Sequence, residues 1–305
     1  MKRCFVTGAS GFIGKALCAQ LQAQGFFVRA CVRTPITGPW DEVVVGDLRN
    51  TTTPAWQQAM QGIDTVFHFA GVAHTKASTR DYWVVNVEAS EALMHLAIDA
   101  GVARFIYGSS IKAIEPDDDY GRSKQAAEKS LIALGKAHGV QVSILQPALV
   151  YGSPLKGNLL KLLRGIDKGW FPPLPETHNK RSLVSLEDVV RVACLVAEDP
   201  RTSDQIQSPR YVISDGIAYS TRQIYDAMRE ALGLSPCKWS IPLWILSFIA
   251  KLPFGGSVFK KLLGSSYFLS DPADRLQRIF GWQPSTTLFK ALPAIVAAYR
   301  QGGCP

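Results

Sequence analysis

The chain has 305 residues, 47% of them hydrophobic and 19% charged, with a formal net charge of +8. That composition excludes a disordered chain, and the length allows one large domain or two modest ones without disulfide staples. The 33 Lys and Arg residues are scattered singly, with no run of five or six. This argues against a nucleic-acid partner and suits small anionic ligands such as phosphates. The six cysteines form no CxxC pair, and the five histidines (His68, His74, His95, His138, His178) lack metal-ligand spacing. Reduced thiols, a cytoplasmic location and no metal are the expectation. No signal-peptide pattern precedes the first strand. The longest apolar stretch, residues 241–250, is broken by Pro242 and is too short for a membrane span, which needs about 20 apolar residues.

In chain order, Phe5-Val6 starts a strand and residues 12–24 a helix. Strands follow over 27–32, 43–45 and 65–69, then a helix over 80–100 and a strand over 104–107. A helix over 120–138 and a strand over 142–145 complete the series. Short apolar strands alternating with helices predict a parallel sheet covered on both faces. After Pro147 glycines and prolines interrupt the pattern. Residues 183–197 suggest a strand end and a helix, residues 211–213 a short strand, and the chain from Thr221 onward is mostly helical. The expected organisation is α/β: a doubly wound, Rossmann-type domain over 1–155 and 182–214, and a smaller, mostly helical substrate domain over 156–181 and 215–305.

Thr7-Gly8-Ala9-Ser10-Gly11-Phe12-Ile13-Gly14 carries G-x-x-G-x-x-G between the first strand and the first helix. Gly8 permits the tight turn, Gly11 lets the backbone approach a pyrophosphate, and Gly14 lets the helix pack close to the strand. The helix N-terminus then offers N–H groups to a dinucleotide diphosphate. The second strand ends in Val28-Arg29-Ala30-Cys31-Val32-Arg33, without the acid that holds a ribose hydroxyl in NAD binders. Arg33, aided by Arg29, suits a 2′-phosphate, so NADP is expected, with NAD the alternative. Asp47, beside Leu48, is placed to meet the adenine amine, and His68-Phe69-Ala70-Gly71 to line the adenosine ribose.

Tyr120 and Lys124 stand four positions apart at the start of a helix, on one face. A cationic Lys beside a phenol lowers the phenol's pKa and fits it for proton transfer to or from a sugar or alcohol oxygen. Ser109 and Ser110 follow the fifth strand, at the carboxyl edge where open α/β sheets bind ligands.

These segments together resemble the extended short-chain dehydrogenase/reductase family, in its NAD-dependent epimerase/dehydratase branch. The resemblance rests on Thr7 to Gly14, Asp47-Leu48, His68 to Gly71, Asn86-Val87, Tyr107 to Ser110, Tyr120 to Lys124 and Pro147 to Gly152. Within that branch, Gly157-Asn158-Leu159-Leu160, Asn179-Lys180-Arg181-Ser182-Leu183-Val184 and Gly281-Trp282-Gln283-Pro284 are similar to nucleotide-sugar epimerases, dehydratases and reductases. More narrowly, Lys156-Gly157-Asn158 and Arg181-Ser182-Leu183-Val184-Ser185 resemble bacterial UDP-4-keto-6-deoxy-N-acetylhexosamine reductases of surface-polysaccharide pathways, a group close to UDP-glucose 4-epimerase-like proteins. The resemblance implies that Ser110, Tyr120 and Lys124 are the catalytic set, with Ser110 preferred to Ser109. It implies a cofactor held by Gly8, Ser10, Gly11, Phe12, Ile13, Gly14, Arg33, Asp47, Leu48, Phe69, Ala70, Gly71, Tyr120 and Lys124, with Pro147 and Val150 bordering the nicotinamide. Asn158 and Arg181, with Ser110, would hold a nucleotide-diphosphate sugar, and Asn86 would support the fold. Family members dimerise through helices like those at 80–100 and 120–138, which makes a homodimer an expectation. The stretch from Ser110 to Tyr120 is shorter than is usual in the family.

The leading expectation is an NADP-dependent reductase of a 4-keto nucleotide sugar. The alternatives are a 4-epimerase with tightly bound NAD, a noncatalytic dinucleotide-binding module, and a steroid or flavonoid reductase. Asp117-Asp118-Asp119 reads as a solvated turn in preference to a cation site. Trp244, Leu246 and Phe248, followed by Lys251, Lys260 and Lys261, read as core or pocket lid in preference to a membrane-facing surface.

Overall fold

The structure is a computed structural model that describes residues 1–51, 53–73, 77–201, 209–237, 239–242, 244–245 and 272–302. The expected stretch Leu246 to Lys261 and His74 lie outside the described residues. The chain divides into two compact units. The first comprises residues 1–147, 187–213 and 272–282, and the second residues 148–186, 214–271 and 283–305.

The first unit is built on a seven-stranded parallel sheet in the order β3-β2-β1-β4-β5-β6-β9. Its strands are β1 (Arg3–Thr7), β2 (Phe27–Val32), β3 (Glu42–Val45), β4 (Thr65–His68), β5 (Arg104–Gly108), β6 (Gln141–Pro147) and β9 (Arg210–Ile213). β4, β6 and most of β1, β2 and β5 are buried, as strands covered on both faces must be. Between β1 and β4 the strand order reverses. There the exits of neighbouring strands diverge and leave the crevice that open α/β sheets use for ligands. The helices are α1 (Phe12–Ala23), α2 (Pro54–Met60), α3 (Thr79–Trp83), α4 (Ala89–Asp99), α5 (Asp119–His138) and α7 (Leu186–Ala197). Phe5, Trp56, Leu93, Met94, Phe105 and Leu131 form part of its core. Phe5 and Trp56 meet edge to face, 6.2 Å between centroids.

The single helix expected over 80–100 is three segments, because a π turn at Val84–Glu88 separates α3 from α4. A π turn admits one extra residue and is often found at functional sites. Asn86 sits in it, fully buried, and reaches back to the chain leaving β4: its Oδ1 accepts from Val72 N at 2.9 Å and its Nδ2 donates to Val72 O at 3.1 Å. α5 starts where Asp118 accepts from Gly121 N at 2.7 Å and ends at Gly139, whose positive φ of 72° closes the last turn.

The second unit pairs β7 (Leu149–Tyr151) with β8 (Leu183–Ser185) in parallel. It also contains α6 (Gly157–Asp167), α8 (Thr221–Ala231) and a helix over Leu288–Arg300. Tyr151, Leu163, Tyr225, Met228 and Leu292 pack its core. The division differs from the expected boundaries at β7 and β8 and near the C-terminus. Residues 148–155 and 182–186 fall in the second unit, because β7 and β8 bond to each other. Residues 272–282 fall in the first, where Phe280 packs on Tyr211 of β9 at 5.9 Å.

The glycine turn after β1 is the tightest junction of the first unit. A Cβ on Gly14 would stand 2.1 Å from Gly8 O, and one on Gly8, whose φ is 69°, 2.7 Å from Ala70 N. Gly14→Ala is expected to cost about 1–3 kcal/mol of stability, read as a lower thermal midpoint, and to weaken dinucleotide binding in the same titration.

Candidate active site

Five chain segments leave the carboxyl edge of the sheet. The turn after β1 exposes Ser10 and Gly11, with Phe12 and Ile13 partly buried behind them. Gly11 is the N-cap of α1, and no side chain caps that end. After β2, Arg33 is exposed. Its expected helper Arg29 is not available. It is buried, pairs with Glu42 at 2.8 Å, and donates to the carbonyls of Ala59 and Gln61. After β3, Asp47 is exposed and its Oδ1 accepts from Arg49 N at 2.9 Å, while Leu48 is partly buried against the core.

After β4, His68 departs from its expected place on a ribose wall. It is fully buried, within 2.7 Å of Thr7 Oγ1 and 2.8 Å of Ser90 Oγ. Burial, aided by the charge of Lys124, pushes its pKa down to about 3, so it is neutral. Ser90 Oγ donates to Asn86 O at 2.8 Å, which leaves His68 Nε2 to donate to Ser90 and Nδ1 to accept from Thr7. Phe69 and Ala70 are partly buried and Gly71 is exposed. A Cβ on Gly71 would come within 2.9 Å of Asn86 Oδ1 and 3.2 Å of Lys124 Nζ, so only bare backbone fits beside the lysine.

The two serines after β5 face different partners. Ser109 is buried and donates to Glu128 Oε1 at 2.6 Å. Ser110, in extended backbone, is hydrogen-bonded to Tyr120. The short connection between them is a 3-10 turn over Ile111–Ala113, closed by Lys112 bridging to Asp118 at 2.5 Å. Asp118 also caps α5, and Asp119 pairs with Arg122 and accepts from Thr79, so two of the three acids of this loop are spent on local structure.

Lys124 is almost wholly buried. Its Nζ donates to Gly108 O at 2.9 Å and to Tyr107 Oη at 3.1 Å, and stands 4.4 Å from the centre of the Tyr107 ring. Burial pulls its pKa down to about 7, against an upward pull from Glu128. The expectation that Lys124 depresses the Tyr120 phenol is corrected here. Burial raises Tyr120 to about 12, the Ser110 hydrogen bond pulls it down, and Asp118 and Tyr82 add upward pressure. Tyr120 is therefore a neutral phenol at ordinary pH.

Sequence reasoning missed Tyr107 as a lysine partner and Glu128 altogether. The signal for Glu128 was its position, one helical turn after Lys124 on the same face. In the second unit, Asn158 is exposed in the first turn of α6. Arg181 is partly buried, and its Nε donates to Thr221 Oγ1 at 3.1 Å. Pro147 ends β6 in the first unit, and Val150 lies in β7 of the second.

A doubly wound sheet with a glycine turn at its switch point, and a Ser–Tyr pair and a buried lysine at its edge, defines a dinucleotide-dependent enzyme. Residues 4–213 match the NAD dependent epimerase/dehydratase family, and the chain belongs to it. It is similar to a UDP-glucose 4-epimerase of Vibrio cholerae, 30% identical over 98% of this chain and 96% of that protein. It is also 32% identical to a UDP-2-acetamido-2,6-beta-L-arabino-hexul-4-ose reductase of Pseudomonas aeruginosa, over 70% of this chain and 55% of that one. Among solved structures, DesIV, a dTDP-glucose 4,6-dehydratase of Streptomyces venezuelae with NAD and TYD bound, superposes with a TM-score of 0.78 at 22% identity, covering 98% and 97% of the two chains. MoeE5 in complex with UDP-glucose and NAD gives 0.74 at 24%, covering 98% and 99%.

The folded pKa of Lys124 lies below the ordinary value of 10.5, so between about pH 7 and 10.5 the unfolded chain binds the extra proton. Stability from this group therefore rises with pH across that window. Urea denaturation of wild type and Lys124→Met from pH 7 to 10 is expected to show their difference moving steadily in favour of wild type.

Proposed function

We propose that the protein is an NADP-dependent reductase of a 4-keto nucleotide sugar, of the UDP-4-keto-6-deoxy-N-acetylhexosamine type. The observation that carries this reading is the end of β2, where no acid stands and Arg33 is exposed, an arrangement that suits an exchangeable NADP better than the tightly held NAD an epimerase keeps. Tyr120, hydrogen-bonded to Ser110, is the proton donor of the reduction.

The dinucleotide implied by the family fits the residues present. The uncapped N-terminus of α1, the exposed Gly11 and Ser10, and the bare backbone at Gly71 form a cradle that added side chains would fill. Gly8, Ser10, Gly11, Phe12, Ile13 and Gly14 would hold its diphosphate, Asp47 and Leu48 its adenine, and Phe69, Ala70 and Gly71 its adenosine ribose. Tyr120 and Lys124 would meet its nicotinamide ribose, and Pro147 and Val150 its nicotinamide. When bound, it supplies or accepts a hydride. The exposed Arg33 and the absence of an acid at the end of β2 support a 2′-phosphate and hence NADP.

In the reducing direction Tyr120 Oη gives its proton to the oxygen at C4 of the sugar. The Ser110 hydroxyl hydrogen-bonds that oxygen as charge develops on it. Lys124, when protonated, stabilises the phenolate left behind. Asn158 and Arg181 would hold the sugar nucleotide diphosphate, a role a guanidinium suits. We also propose, from family resemblance, a homodimer acting in the cytoplasm on a precursor of surface polysaccharide. No helix among the described residues is long and apolar enough to cross a membrane. The 30% identity with the Vibrio cholerae protein named as a UDP-glucose 4-epimerase supports a second reading, a 4-epimerase that retains NAD.

Mass spectrometry of the dinucleotide that co-purifies with the native protein separates the two. The reductase reading expects an empty or exchangeable NADP site, and near-stoichiometric, tightly held NAD would contradict it. With a 4-keto sugar nucleotide as substrate, Tyr120→Phe is expected to lower kcat by about 10²–10⁴-fold.

A further inference from the structure

Glu128 lies one helical turn after Lys124 on α5, and it is 1% exposed. It is fully engaged. Oε1 accepts from Ser109 Oγ at 2.6 Å and from Gln146 Nε2 at 2.8 Å, and Oε2 accepts from Arg210 Nε at 2.7 Å. These partners come from the end of β5, from β6 and from β9, so one side chain on α5 ties three neighbouring strands together. Burying a carboxylate costs several kcal/mol unless charge and hydrogen bonds compensate it. A helix that needed only packing here would carry an apolar residue.

We propose that Glu128 is a positioning residue for the reaction. It anchors Ser109 so that the adjacent Ser110 stays on Tyr120, and it supplies the negative charge that balances the Lys124 ammonium. The proposal rests on Ser110, Tyr120 and Lys124 being the reacting set.

Two observations bear on it. Ser109 and Ser110 are consecutive, and their side chains go to different partners, Glu128 and Tyr120. Ser109 N also donates to Leu145 O at 2.7 Å. Ser109 is thus fixed at backbone and side chain, and the direction of Ser110 follows from that. On the other side, the two influences on Lys124 are burial and Glu128, and they act in opposite senses.

Four groups packed near Lys124 are uncharged at neutral pH. Tyr107 on β5 is pushed up by burial, Tyr120 on α5 stands at about 12, His68 on β4 at about 3, and Asn86 in the π turn is an amide. Arg210 on β9 is the other charge in contact with Glu128, and its side chain is 38% exposed. Glu128 follows Lys124 by one turn of α5 and both are buried, so its charge opposes the effect of burial on the ammonium.

The test is an NMR titration of the Lys124 ¹³Cε resonance in the full-length protein grown with ¹³C-lysine, assigned by its loss in Lys124→Met. It is run on wild type, Glu128→Gln, Glu128→Asp and Ser109→Ala, beside kcat and KM for each. In Glu128→Gln the Lys124 midpoint is expected to fall by about one pH unit. Glu128→Asp keeps the charge and restores the midpoint to within about 0.3 unit. Ser109→Ala keeps the midpoint but lowers kcat by about tenfold, with KM unchanged, because Ser110 is no longer held.

An unchanged midpoint in folded Glu128→Gln overturns the proposal, and so does wild-type kcat in Ser109→Ala. Should Glu128→Gln fail to fold, a midpoint in Glu128→Asp displaced as far as one unit overturns the charge role. The titration needs no substrate. Failure of the reductase reading therefore leaves its outcome intact, and a negative titration leaves the reductase reading standing.

Discussion

An ammonium group shut away from water is the constraint around which the carboxyl edge of the sheet is arranged. Lys124 lies almost wholly buried, and an uncompensated charge there would cost several kcal/mol. The first unit offsets that cost with the Gly108 carbonyl at 2.9 Å, the Tyr107 oxygen at 3.1 Å, the face of the Tyr107 ring and the charge of Glu128. The balance is incomplete, and a lysine near 7 holds its proton loosely at neutral pH. In the proposed reaction it is the partner of a phenol left charged by proton transfer.

The surrounding geometry follows from making room for that lysine. Gly71 has no side chain because one would collide with Asn86 and crowd Lys124 Nζ. Asn86 reaches both the backbone at Val72 and Ser123 on α5, at 3.0 Å, because the π turn presents it inward. His68 and Ser90 fill the space behind it as a neutral pair whose last proton goes to the Asn86 carbonyl. Hydrogen bonds among β4, the π turn and α5 hold this layer together.

The strands and the glycine turn were legible in the sequence because each rests on a local rule. Alternating apolar runs mark β1, β2, β4, β5 and β6, and three glycines at fixed spacing mark the turn that only glycine can make. That Ser110 meets Tyr120 at the sheet edge was legible from where each falls relative to the strands. What stayed hidden depends on contacts distant in sequence. Arg29 and Arg33 look alike in the chain, yet Arg29 is spent on Glu42 and two carbonyls, while Arg33 is exposed. The direction in which Lys124 points depends on Tyr107, 17 residues away. The π turn has no signature in hydrophobic period, and the partnership of Glu128 with Arg210 joins residues 82 apart.

The central claim is that this edge of the sheet reduces a carbonyl of a nucleotide sugar, with Tyr120 as the proton donor. The most direct measurement is to incubate the native enzyme with a UDP-4-keto-6-deoxy-N-acetylhexosamine and NADPH deuterated at the transferable position of C4, and to weigh the sugar product. One deuterium carbon-bound in the reduced sugar, absent when Tyr120→Phe replaces wild type, is the predicted result. A product without deuterium, or interconversion of a 4-hydroxy sugar with no added dinucleotide, would contradict it.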